Sequence, residues 1–195
     1  MSKPTPRKRP YRQNRRAAQA SLTRQRIVEA AIELHGAVGP ARTTISMVAE
    51  RADVQRHTLY AHFPTELSLY LACSGEALAR DPLPDAQGWR TIEEPAARFR
   101  TGLQALYGWY RRNAGLTAAV LRDAECHPLT REIVAIRIAP GISAIQESLS
   151  EGLSAKQMPL LHLSLSFFTW RSLALESGLS DTAAIESLAG AIFGG

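Results

Sequence analysis

The sequence predicts an all-α protein, and three of its features carry that expectation. Apolar side chains recur every three or four residues through 92–112, 115–126, 129–151, 156–177 and 181–193, the period of a helix with one buried face. Runs alternating apolar and polar residues, as half-buried strands do, are missing, and there is no internal repeat. Proline and glycine gather between periodic segments, above all in GAVGP (36–40) and DPLPDAQG (81–88). With 195 residues, 45% of them hydrophobic, the chain can bury one large core or two small ones.

The elements follow in order. Residues 1–18 combine three prolines with a basic run that includes Arg7, Lys8, Arg9, Arg12, Arg15 and Arg16, and read as a flexible arm. Residues 1–26 hold nine Lys and Arg and no acid, while 27–195 hold 14 bases against 18 acids, so the net charge of +5 belongs to one end. A basic arm on a near-neutral body implies a polyanionic partner. Ser21 or Thr23 offers an N-cap for a first helix with Ile27, Ala30, Ala31, Leu34 and Val38 on one side, stopped by GAVGP. A second short helix, ISMVAERA, follows the hydroxyls of Thr43 and Thr44; Asp53-Val54 turns the chain, and VQRHTLYAHF (54–63) forms the third. Pro64-Thr65 ends it, with Thr65 as cap of a fourth helix, LSLYLACSGEALAR. Pro140-Gly141 should kink or split the segment 129–151.

Several chemistries are disfavoured. Cys73 and Cys126 are too few for a disulfide framework and have no metal spacing, which fits reduced thiols inside a cell. No apolar run approaches the ~18 residues of a membrane span. The basic N-terminus precedes no apolar stretch of a signal peptide. The expectation is a soluble, cytoplasmic protein. His57 and His62 are five apart, not the four of a helical metal pair, so neither metal nor cofactor is expected. Adjacent Cys126 and His127 rarely orient as nucleophile and base, and no G-x-S-x-G or phosphate loop occurs. An enzyme on a helical scaffold, using Cys126, is the disfavoured rival class.

Residues 45–64 pose a sharper constraint. Ala49 stands where two short helices must cross closely, Val48, Ala52, Val54 and Leu59 supply packing, and Asp53 falls where the backbone turns left-handed. That set is a helix-turn-helix, whose second helix lies in the DNA major groove. Taken alone, Arg56, Tyr60 and His62 would pass for a solvated helix face. Within that frame, Arg56 can fork onto guanine and Gln55 pair with adenine, while His57 and Thr58 reach base edges. Tyr60 and His62 suit phosphate oxygens, and the basic arm suits the neighbouring minor groove.

The stretch TTISMVAERADVQRHTLYAHFPTELSLYLA resembles the signature of the TetR family of bacterial transcriptional regulators, with T-L-Y-x-H-F at a fixed distance from Ala49. The likeness covers about residues 22–75. It implies a three-helix DNA-binding domain at 19–66, followed by a helical effector-binding and dimerisation domain at 67–195. It further implies base contacts at Ser46, Gln55, Arg56 and His57, and phosphate contacts at Thr44, Thr58, Tyr60 and His62. The sequence departs from the family pattern in three places: Asp53 for the turn glycine, bulky His57 for a small residue, and Glu66 for a lysine that opens the fourth helix.

The family's C-terminal helices form a pocket and a dimer interface. Apolar residues on more than one face of 156–176, and the small side chains of 181–193, suit half of an intersubunit four-helix bundle. Candidate pocket residues are Phe99, Leu103, Tyr107, Tyr110, Leu121, Arg122, His127 and Phe167, each of which also suits plain core. The implied partners are a double-stranded DNA operator, an unidentified small-molecule effector and a second copy of the chain through its last two helices. A sequence-tolerant architectural DNA binder is the other alternative.

Overall fold

A computed structural model describes residues 9–194, with side chains from Asn14 onward. Every regular element among the described residues is helical. Helix α1 spans Arg9–Ala37, α2 Ile45–Arg51, α3 Arg56–His62 and α4 Glu66–Arg80. Beyond a loop and a 3-10 turn (Gln87–Thr91) come α5 (Pro95–Arg112), α6 (Ala114–Ala124), α7 (Pro128–Arg137) and α8 (Ala139–Ser150). Then follow α9 (Met158–Leu165), α10 (Phe167–Trp170), which continues as a π-helical turn (Arg171–Glu176), and α11 (Asp181–Phe193).

The helix ends follow local chemistry. Thr44 Oγ1 accepts from Met47 N (3.2 Å) at the start of α2. Thr65 and Ser68 make a reciprocal capping box at α4, Thr65 Oγ1 accepting from Ser68 N (3.1 Å) and Ser68 Oγ from Thr65 N (3.3 Å). Segment 129–151 divides at Ile138, next to Pro140, whose ring cannot continue the preceding turn.

Two expectations need correction. Residues 9–18, read as arm, are helical, and Ser21 and Thr23 lie inside α1 rather than capping it. No proline or glycine occurs between Gln13 and Gly36, and Ala, Arg and Gln propagate a helix well once a buried stretch has nucleated it. Arg7 and Lys8 lie outside the described residues, as do the side chains of Arg9 and Arg12; Arg15 and Arg16 are exposed on α1. The second correction concerns 156–177, expected as one helix. It breaks at Ser166, which is extended (φ −71°, ψ 131°). The carbonyls freed there are taken from afar: Tyr107 Oη donates to Ser164 O (2.9 Å) and Tyr110 Oη to Leu165 O (2.6 Å).

Two apolar clusters share the molecule. The first joins Ile27, Ala31, Val48, Ala49, Leu59, Phe63, Leu69 and Cys73 from α1–α4. The second centres on Phe99, Leu103, Leu106, Tyr107, Leu161, Trp170 and Ile185, with Leu78 of α4 packed against it. Helix α4 thus contributes its first half to one core and its end to the other.

The seam between them is tight. Gly39 (φ 95°, ψ 152°) approaches the end of α6 so closely that a Cβ there would collide with Asp123 Oδ2 and Arg122 Nη2. Asp123, buried, accepts from Ala41 N (2.9 Å). Burial works against its charge, but the Ala41 N–H and the Arg122 guanidinium outweigh it and hold the carboxyl below its ordinary range.

Candidate nucleic-acid interface and internal cavity

Helices α2 and α3 are fixed by their turn. Val54 N donates to Ala49 O (3.0 Å) and Asp53 N to Glu50 O (3.0 Å), the paired bonds of a helix end that closes through a left-handed residue. That residue is Asp53, φ 51°. Arg26 of α1 reaches the same end: Nη2 donates to Ala52 O and to Asp53 O (2.9 Å). Sequence reading counted Arg26 only among the bases of residues 1–26; here it satisfies carbonyls at the turn that closes α2. Arg24 lies over the Phe63 ring, 4.7 Å from its centroid, and Arg51 Nε meets Glu33 Oε2 (2.7 Å). Val48, Ala49, Leu59 and Phe63 are buried beneath.

With those side chains turned inward, α3 presents an exposed row of Gln55, Arg56, His57 and Tyr60, with Thr58 and His62 half-buried beside it. Gln55 is the N-cap residue but makes no side-chain capping bond, so its amide keeps both functions. Arg56 enters no ion pair among the described residues. His57 Nε2 lies 3.3 Å from Thr58 Oγ1. Thr44 and Ser46 are exposed at the start of α2, next to the Arg56 end of α3, and with Arg56 and Tyr60 they line one polar cleft. The structure therefore gathers Thr44, Ser46, Arg56 and Tyr60 from two helices onto one surface. Glu66 and His127 border the same cleft.

Behind α4 lies a cavity of ≈ 400 Å³. Its wall comes from α1 (Ile32, His35), α4 (Tyr70, Cys73, Ser74, Ala77, Leu78), α5 and α6 (Trp109, Tyr110, Leu116, Val120, Leu121), α7 (Ile133, Val134, Arg137) and the break around Ser166 (Phe167, Phe168). Of the pocket candidates, Tyr110, Leu121 and Phe167 line it. Phe99, Leu103 and Tyr107 are instead packed in the second core, outside that wall. Arg122 is turned to Asp123 (Nε to Oδ1, 2.8 Å), and His127 caps α7 while bordering the polar cleft.

The pocket candidates named from the sequence included no residue of α1 or α4, which line one side of the cavity. Tyr70 Oη donates to Pro40 O (2.9 Å), and burial raises its pKa to about 12. Cys73 Sγ lies 3.3 Å from Tyr70 O and 3.7 Å from His35 Nδ1, and burial raises its thiol to about 12, which keeps it protonated. His35 is pushed down to about 4 by burial, with Asp123 opposing the shift, so its ring is neutral near pH 7. Its Nε2 has no partner among the described residues. The signal available in the sequence was LACSGEA, a polar and small-residue interruption inside an apolar helix.

No helix among the described residues is long and apolar enough to cross a membrane. None of their His, Cys, Asp and Glu side chains cluster in the threes a metal ion needs. The two short helices, their left-handed turn and the outward row on α3 define a helix-turn-helix protein. Residues 27–73 match the family described as bacterial regulatory proteins, tetR family. Over 82 residues the chain is 38% identical to the HTH-type transcriptional regulator SrpR of Pseudomonas putida, covering 39% of this chain and 38% of that protein. It has the same identity over 82 residues to the uncharacterized HTH-type transcriptional regulator TtgW of that species, covering 61% of it. The match spans less than two thirds of either relative. In fold, the chain is similar to a HlyIIR mutant protein (TM-score 0.64, 16% identity, 89% of this chain and 96% of that one). It is also similar to the multidrug binding protein EbrR complexed with imidazole (TM-score 0.59, 23% identity, 87% and 89%). The family match thus covers α2 and α3 with the adjoining parts of α1 and α4.

Proposed function

We propose that this regulator binds a near-palindromic DNA operator as a homodimer in the cytoplasm, represses from it, and releases it when a small molecule enters the cavity. In this reading residues 19–66 read DNA, and residues 67–195 hold the effector and the dimer interface. Ser46, Gln55, Arg56 and His57 meet bases, and Thr44, Thr58, Tyr60 and His62 meet phosphates. The exposed bases of α1, Arg15 and Arg16, extend the charged surface beyond the helix-turn-helix. Leu163 and Leu175, both about half exposed, give the last helices an apolar face that suits a second copy.

The observation that carries the proposal is the double duty of α4. Leu69 and Cys73 belong to the core beneath the helix-turn-helix, while Tyr70, Cys73, Ser74, Ala77 and Leu78 wall the cavity. A ligand that displaces α4 therefore shifts the body carrying α3. Two copies of α3 must lie about one DNA turn apart, ~34–36 Å, so a small change in their spacing weakens both contacts together.

The test begins with operator selection from a random duplex pool, followed by titration. Arg56→Ala should cost about 1–3 kcal/mol on the selected site and relax preference at one base pair. Equal losses on selected and random DNA would refute base reading and favour an architectural binder. Sedimentation should give a dimer that Leu163→Glu with Leu175→Glu dissociates; a monomeric wild type would refute the two-copy arrangement.

A further inference from the structure

The cavity wall contains one permanently charged side chain, Arg137 at the end of α7, and no acid. We propose that the effector is an anionic amphiphile: an apolar body filling the cavity and one anionic head paired with Arg137. The inference rests on the effector-binding reading above and names the chemical class of its ligand.

The position of Arg137 carries the argument. The residue is exposed yet belongs to the cavity wall, which puts its guanidinium at the rim where the cavity meets solvent. It spans the gap from α7 to α4, with Nη2 donating to Leu71 O (3.1 Å). It passes over Gly75, where a Cβ would stand only 3.3 Å from Nη2, so the glycine keeps this path open. Among the described residues Arg137 has no carboxylate within ion-pair distance, and a guanidinium offers five donors in a planar fork. A bound anion would meet donors that the protein has not committed.

The rest of the wall carries no charge. Tyr70, Ser74 and Asn113 spend their donors on protein acceptors, and Thr130 is engaged with His127. His35 is neutral near pH 7 and adds no charge. A cationic ligand would find no counter-ion and would face Arg137, whereas a neutral apolar ligand would leave the guanidinium unused. A head that draws the guanidinium toward it also pulls on the bond to Leu71 O, so binding acts directly on the α4 tether.

The experiment is calorimetry on the full-length protein without DNA. The ligands are straight-chain carboxylates, alcohols and alkylammonium ions from octyl to tetradecyl, matched in length and kept below micelle-forming concentrations. At the best length the carboxylate should bind about tenfold or more tighter than the alcohol or the ammonium, the scale of one charge-assisted contact. Arg137→Gln should bring the carboxylate down to the alcohol's affinity and leave the alcohol unchanged, with thermal unfolding verifying an intact fold. Equal affinities in the wild type, a carboxylate preference that survives Arg137→Gln, or binding by none of the series would overturn the proposal. Operator release is measured separately, so a carboxylate that binds through Arg137 but leaves DNA bound would count against the regulatory mechanism and not against the ligand class.

Discussion

Gly39→Ala and Gly36→Ala place the same added methyl three residues apart and should have opposite effects. Gly36 lies within α1, and a Cβ there meets nothing within 4 Å. Alanine at that position should stabilise by about 0.5–1 kcal/mol through helix propensity alone. Gly39 has φ 95° and ψ 152°, a region almost closed to other residues, which adds ~1–3 kcal/mol of backbone strain. Its new Cβ would also collide with Asp123 Oδ2, the acceptor of the Ala41 N–H. Arg122 is exposed and can swing aside; Asp123 is buried and cannot. Disturbing that charged hydrogen bond costs a further ~1.5–3 kcal/mol, so Gly39→Ala should lose about 3 kcal/mol or more. In a chain of this size each kcal/mol moves Tm by ~2–4 °C, so the two variants should differ by roughly 10 °C in thermal unfolding. A Gly39→Ala midpoint within the error of wild type, or a Gly36→Ala variant equally destabilised, would refute the close approach of the Gly39 loop to α6.

Two further outcomes are expected. Arg26→Ala should lower the unfolding free energy of the DNA-free protein, read from urea titration, by about 1 kcal/mol, because the carbonyls of Ala52 and Asp53 lose their donor; an unchanged free energy would refute that role for Arg26. His35, depressed from 6.5 to about 4, takes up its proton less readily folded than unfolded. Its contribution is therefore complete above pH 6.5 and lost as pH falls from there toward 4, on the order of 1.4 kcal/mol per unit. Urea titrations at pH 7 and 5 should show the slope in wild type and its reduction in His35→Leu; equal slopes would refute the burial of a neutral ring.

What was legible in the sequence was local. Thr44 and Thr65 announce caps, Pro64 and Pro140 announce breaks, and Asp53 between two short periodic runs announces a left-handed turn. Each signal acts within a few residues of itself. The break at Ser166 was not legible, because the groups that stabilise it are hydroxyls on Tyr107 and Tyr110, more than fifty residues away. Those tyrosines looked like pocket lining, and Tyr107 instead holds a carbonyl in the core. The helical start at Arg9 was hidden by composition, since charge and low apolar content describe a solvated helix as well as they describe a coil. The cavity was half legible. Its lining was sought on the helices from 92 onward, although α4 falls within the segment 67–195 assigned to the effector, because a helix that serves both cores presents only one apolar pattern.

That shared pattern also bears on how a ligand could be felt at α3. Tyr70 belongs both to the apolar cavity and to the polar cleft that Arg56 and Tyr60 line. Its ring lies 4.8 Å from that of His35 on one side and 6.2 Å from that of His127 on the other, and its hydroxyl holds Pro40 O. Pro40 follows Gly39 at the contact with Asp123, so Tyr70 and Asp123 hold one short loop between them. Close packing leaves such a ring little room for a small displacement on its own. Motion of α4 would strain the Pro40 bond or carry the loop, and with it the start of α2, toward a new position. A coupling of ~1–3 kcal/mol suffices for 5–150-fold weaker DNA binding, which one or two hydrogen bonds at this seam can supply.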